Sequence, residues 1–137
     1  MTRPLRMIAW IEAMLAAIER NDTAEIKSLI HPDFVMYEDE GMPYGGVFRG
    51  PDGFFQMQQA VYGSWRDMSL QRMFVLEEPG GDTVSVTYRF RARPQKSDDF
   101  VETFLHEIWT IRDGVAVEAY VWYWNTPYLA KALAGAS

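Results

Sequence analysis

The sequence predicts an α+β domain, with helices gathered on one face of an antiparallel sheet, in a single unit spanning residues 1–137. Three observations carry that expectation. The first part of the chain places apolar residues at helical spacing, and the second half places them at alternate positions. Glycine- and proline-rich turns separate the pieces. A chain of 137 residues is also one domain's worth, enough to bury roughly two-thirds of the surface that its unfolded form exposes.

The first helix is expected over about Pro4–Arg20, with Pro4 in its first turn. Ile8, Ile11, Leu15 and Ile18 form one apolar stripe, and Trp10, Met14 and Ala17 form a neighbouring one. Asn21 ends this helix. Asp22 then starts a second helix, with Glu25 completing a capping box, Ile26, Leu29 and Ile30 on its buried face and Pro32 as its stop. Phe34–Glu38 reads as a short strand with Phe34, Met36 and Glu38 on one face and Val35 and Tyr37 on the other. The turn GMPYGG leads into a third helix with Pro51 in its first turn and Phe54, Val61 and Trp65 facing inward.

Strands follow. Met68–Glu77 alternates loosely, and Pro79–Asp82 is a turn. Val84, Val86, Tyr88, Phe90 and Ala92 alternate with polar residues and arginines, the clearest strand pattern in the chain. A polar loop leads to a strand over about Phe100–Ile111, and Arg112–Gly114 turns it into another over Val115–Trp124. Asn125 or Thr126 caps a short last helix, with Pro127 in its first turn. No internal repeat, linker or second domain is expected.

Composition narrows the function. The net charge of −6 argues against nucleic acid, whose phosphates demand a basic surface. Arg89, Arg91 and Arg93 alternate along one strand and read as a solvated face. Without cysteine there is neither a disulfide framework nor thiolate chemistry. No stretch approaches the ~20 apolar residues of a membrane span. The amino terminus has a basic start, but Glu12 interrupts its apolar run, so a cytoplasmic protein is the default. Two histidines without ligand-like spacing imply no metal site, no phosphate-cradling glycine motif is present, and no cofactor is implied.

The candidate chemistry lies among the acids. In His31–Gly50, Asp33, Glu38, Asp39 and Glu40 stand amid large apolar residues, and only Glu38 shares the inward parity of Phe34 and Met36. Glu107 falls mid-strand on one face with Val101, Leu105 and Trp109, where a charge is costly unless paired or protonated. Arg72 or a tyrosine hydroxyl is its expected structural partner. His106 points to the opposite face with Phe104 and Ile108, and His31 takes a capping or surface position.

The element order, with ERNDTAEIKSLIHPDFVMYEDEGMPYGGVFRGPDGF early and HEIWTIRDGVAVEAYVWYWNT late, resembles the nuclear transport factor 2-like superfamily. Within it the chain looks most like the SnoaL-like polyketide cyclases and ketosteroid isomerases. The resemblance implies a cone-shaped domain, in which a strongly curved sheet wraps about three N-terminal helices and a short C-terminal helix around an apolar pocket. It puts Glu38 in the place of the isomerases' general base and Glu107 in that of their neutral acid. A carboxylate there shuttles a proton beside a carbonyl, and a neutral acid donates a hydrogen bond to the enolate. The isomerases' first-helix tyrosine aligns with Met14. The cyclases' last-strand aspartate aligns with Val121, and an aspartate that often closes that strand aligns with Asn125.

The same resemblance gives the pocket its lining. Trp10 and Met14 come from the first helix, Phe34 and Met36 from the first strand and Phe54 from the third helix. Leu105 and Trp109 come from the strand of Glu107, with Ala119, Val121, Tyr123 and Asn125 from the last strand. Tyr37, Tyr123 and Asn125 are candidate hydrogen-bond donors. Tyr120, Trp122 and Trp124 fall on the outer sheet face, a patch too apolar to leave wet, so a homodimer through that face is expected. The resulting expectation is a cofactor-free enzyme moving protons on a hydrophobic, oxygenated small molecule, as an isomerase, cyclase or dehydratase. Its alternative is a non-catalytic binding or dimerisation module of the same fold.

Overall fold

The structure, a computed structural model, describes residues 6–135. Helix α1 (Arg6–Glu19) buries Trp10, Ile11, Met14 and Ala17. Its expected start at Pro4 lies outside the described residues. The amides of Met7 and Ile8, which have no partner within the helix, each donate to Glu77 Oε1 at 3.1 Å. Helix α2 (Thr23–Ser28) starts as the capping box implies, with Asp22 accepting the Glu25 N–H at 3.1 Å.

The expected proline stop is corrected by the structure. Helix α2 ends before Leu29, and Pro32 lies inside strand β1 (Ile30–Glu38). Proline is tolerated there because the pairing of β1 is broken between Ile30 and Val35, so no ladder hydrogen bond is lost. Strand β2 (Gly46–Arg49), which the sequence does not announce, pairs antiparallel with β1. Helix α3 (Gly50–Ser64) buries Phe54 and Val61. Trp65, expected on that helix, is instead the extended first residue of β3 (Trp65–Glu77). Strands β4 (Thr83–Pro94), β5 (Val101–Arg112) and β6 (Val115–Tyr123) and helix α4 (Thr126–Leu133) follow close to their expected places.

The six strands form one open sheet in the order β2-β1-β6-β5-β4-β3. It is mixed rather than antiparallel, because β1 lies parallel to β6. Parallel neighbours need a long crossover, and everything from β2 to β5 supplies it. The expected inward set of β4, from Val84 to Ala92 at alternate positions, is buried. Phe34 stacks on Trp109 at 5.8 Å between ring centres and meets Phe54 edge-on at 6.5 Å, joining β1, β5 and α3 in one core.

Register decides what meets across the inner face. Val121 of β6 stands opposite Glu38 on one side and Glu107 on the other, so the row reads Glu38–Val121–Glu107. The next row is Met36–Ala119–Trp109. On the other side lies Tyr123–Leu105–Tyr88. The outer face carries Tyr37 stacked on Tyr120 at 4.8 Å and Tyr120 stacked on Trp122 at 6.0 Å. No helix of the described residues is long and apolar enough to cross a membrane.

Candidate functional site

Between α1, α3 and the inner sheet face lies a cavity of about 130 Å³, lined by both Glu38 and Glu107. Alternation along β1 and β5 turns both acids inward, and the shared opposition to Val121 puts their backbones two strand spacings, roughly 10 Å, apart. Of the expected lining residues, Trp10, Met14, Met36, Phe54, Leu105, Trp109, Val121 and Tyr123 border the same space. Exposed Tyr62 and Leu70 also border it, which places its mouth between α3 and β3.

Three expected lining residues stand elsewhere. Phe34 is fully covered behind the cavity by its stack on Trp109. Ala119 is also fully covered, its short side chain lying in a row between Met36 and Trp109. Asn125 is exposed, because it takes a left-handed conformation (φ 60°) where β6 turns into α4, and this removes it from the strand's alternation.

Glu38 is 3 % exposed, and its Oε1 has no hydrogen-bond partner. Burial raises its pKa from 4.5 to about 8, and the charges of Glu107 and Asp39 push it the same way. The Asp39 backbone and the nearby Tyr123 hydroxyl act in the opposite direction. Glu107 keeps some accessible surface, and burial raises its pKa to about 7. Its Oε1 accepts the indole N–H of Trp109 at 2.9 Å, which favours the charged form. That indole, two residues along the same strand face, takes the place expected of Arg72 or a tyrosine. Among the described residues, no lysine, arginine or histidine lines the cavity.

The sequence reading missed Tyr44, hidden in what looked like a turn of glycines. Its hydroxyl lies 2.8 Å from that of Tyr123 and accepts the Trp65 indole N–H at 2.9 Å. Burial pushes the Tyr44 phenol up to about 12 and holds Tyr123 well above its ordinary value, so both keep their protons. Gly45 makes this placement possible, since a Cβ there would sit 2.2 Å from the Asp39 carbonyl oxygen. Tyr88 is a second omission, although its inward parity on β4 was legible, and it also borders the cavity.

Asp39, which lacks the inward parity of Glu38, holds the site's frame. Its Oδ2 accepts from the Tyr123 N–H at 3.2 Å and the Thr126 hydroxyl at 2.9 Å, and its Oδ1 accepts from the Gly41 N–H at 2.9 Å. The end of β1 is thereby tied to the junction of β6 and α4. His106 points outward, with Nδ1 3.0 Å from the Thr87 hydroxyl, and His31 Nδ1 accepts the Asp33 N–H at 2.9 Å. Among the described residues no group of three His, Asp or Glu side chains is placed to hold a metal ion.

The mixed sheet with helices packed on one face is the fold of a known family. The model of the SnoaL-like domain matches residues 11–119, and the chain belongs to that family. No curated protein matches the chain in sequence. Solved structures share its fold. A nuclear transport factor 2-like protein from Burkholderia thailandensis is 20% identical with a TM-score of 0.80, the match covering 96% of this chain and 98% of that one. TerC, co-crystallised with polyporic acid, is 24% identical with a TM-score of 0.80, over 94% of this chain and 98% of its own. A protein of ketosteroid isomerase-like fold from Catenulispora acidiphila, in complex with trimethylamine, is 12% identical with a TM-score of 0.72, over 96% and 94%.

Proposed function

We propose that this protein is a cofactor-free enzyme that moves a proton on a hydrophobic, oxygen-bearing small molecule, with Glu38 and Glu107 as its acid–base pair. The observation that carries the reading is their common row across β1, β6 and β5, opening into one cavity. Two carboxyls that titrate near neutrality, in a space with no cation to pin them, can take up and release protons at working pH. The apolar walls suit an apolar substrate, and the absence of a lining cation disfavours a phosphate or carboxylate. Solved structures of the same fold with polyporic acid and with trimethylamine bound support a small-molecule pocket.

The test is exchange of the hydrogens beside the carbonyl in a panel of apolar ketones, followed by NMR in heavy water. Exchange is expected with the wild-type protein, and Glu38→Gln and Glu107→Gln are each expected to slow it by about a hundredfold or more. Unchanged exchange in both variants overturns the assignment. A non-catalytic binding module is the second reading, favoured by Met14 and Val121, which put apolar side chains where relatives' donors and acids align. Tight binding of a ketone without exchange establishes that reading instead.

The protein is further proposed to act as a homodimer, joined through the outer sheet face around Tyr120, Trp122 and Trp124. Trp124 is 68 % exposed and Trp122 44 %, and exposed Phe104, Phe74 and Leu76 extend the patch. An apolar face of this kind marks an interface.

A further inference from the structure

We propose that the cavity holds a second polar subsite, in which the Tyr88 hydroxyl donates to an uncharged oxygen of the substrate, set apart from the end held at the acids. The substrate it implies is a small apolar molecule with an oxygen at each end of a ring system. The subsite rests on the small-molecule reading of the cavity above and gives Tyr88 no part in the proton transfer.

A buried hydroxyl with nothing to bond singles Tyr88 out. The side chain is 3 % exposed and borders the cavity. Its buried neighbours along the cavity wall are engaged: the Trp10 indole donates to the Leu29 carbonyl at 3.0 Å, the Trp109 indole to Glu107 at 2.9 Å, and the Tyr123 hydroxyl lies 2.8 Å from that of Tyr44. Among the described residues the Tyr88 hydroxyl has no hydrogen-bond partner, and the charged groups near it are Glu107 and Arg72. Arg72 stands opposite it on β3 but is exposed and outside the cavity lining. The side-chain polar atoms sealed off without a partner are Glu38 Oε1 and Arg93 Nε, so the open side of the Tyr88 hydroxyl is the cavity. Burial and the charge of Glu107 hold the phenol far above its ordinary value, which keeps it a donor. Packing alone does not call for that hydroxyl. Phe90, the next inward residue of β4, is fully buried with a bare ring. Phenylalanine at position 88 would avoid the cost of a buried hydroxyl without a partner, whereas a ligand oxygen in the cavity removes that cost.

Register places the subsite. Tyr88 stands opposite Leu105 and Glu107 opposite Val86, so Tyr88 lies one strand across from Glu107 and one inward position along. Val121, between the two acids, is two strands from β4, roughly 10 Å. A ligand reaching from the acids to Tyr88 therefore passes over Val121 and Leu105 toward the mouth at Leu70 and Tyr62. That span is about the reach of two fused rings with an oxygen at each end. With Glu107 one strand away and no basic side chain in the lining, an anion at the subsite has no counter-charge. The oxygen read there is that of a neutral carbonyl, ether or alcohol.

Fluorescence titration with 6-acetyl-2-naphthol and 6-isopropyl-2-naphthol, which match in shape and differ in the second oxygen, tests the subsite. Tyr88→Phe is expected to shift the preference between the two by about five- to tenfold toward the isopropyl compound, the worth of one neutral hydrogen bond. Taking the ratio cancels the differing hydration of the two probes and any general loss of binding. The same variant is expected to hold or raise Tm, because the hydroxyl that it removes is unpartnered in the folded protein. A fall of several degrees means that the hydroxyl is already bonded and overturns the subsite. Both naphthols bound with an unshifted ratio overturns it too and leaves the small-molecule cavity standing. Binding of neither by the wild type also overturns the subsite, and the acid–base reading then stands or falls on hydrogen exchange alone.

Discussion

Two carboxyls share one cavity wall with no basic side chain among them, and the cost of that arrangement is written in their protonation. Glu38 faces Glu107, Asp39 and the phenols of Tyr123 and Tyr44, none of which supplies positive charge. Folding therefore raises both pKa values above the 4.5 of an ordinary glutamate, to about 8 and about 7. The folded protein binds more protons than the unfolded chain across that interval, so stability is undiminished below pH 4.5 and falls as pH rises toward 8. The loss is on the order of a few kcal/mol, because a tenfold change in proton affinity is worth about 1.4 kcal/mol. Glu38→Gln removes the larger share. Its urea midpoint is expected to match the wild type in mild acid and to exceed it in mild base, and an advantage of equal size at both ends would contradict this origin.

The elements divide into those set locally and those set by distant pairing. Asp22 caps α2 from three residues away, a local signal that the sequence displays and the structure keeps at 3.1 Å. Asp22→Ala is expected to cost about 1 kcal/mol in chemical denaturation, the usual size of a lost cap. Alternation along β4 was equally legible, since side-chain parity needs no partner strand. The parallel pairing of β1 with β6 was not, because it joins residues some eighty positions apart and leaves no local mark. Pro32 misled for the same reason: only the break in that pairing makes a proline harmless inside β1. Tyr44 was unreadable as a site residue because Pro43 and the glycines around it signal a turn, and the contacts to Trp65 and Tyr123 close over 21 and 79 positions. The inward direction of Glu38 and Glu107 was legible from parity, and the row that unites them came from register. Phe34, expected at the cavity surface, matters instead as the joint of three elements. Phe34→Ala is expected to cost about 3–5 kcal/mol by leaving a hole against Trp109 and Phe54.

At the scale of the molecule the sheet has two unequal faces, and they are chemically linked through β6. Its odd-numbered residues Val121 and Tyr123 meet the cavity, while Tyr120 and Trp122 stack outward on the opposite side. Adjacent residues of one strand thus line the cavity and the exposed aromatic face, so a partner pressed on the outer face would stiffen the strand that separates the two acids. The outer aromatics are already ordered among themselves, Tyr37 on Tyr120 on Trp122, and flat ordered rings lose little entropy when a second copy covers them. A two-fold pairing uses one patch twice and needs no complementary surface elsewhere. On this view Trp122→Glu puts a buried charge at the centre of the contact without touching the cavity. Light scattering is expected to show a dimer for the wild type at micromolar concentration and a monomer for Trp122→Glu, with the fall of stability between mild acid and mild base retained in both. A wild-type protein that scatters as a monomer removes the homodimer and leaves the aromatic face to another partner.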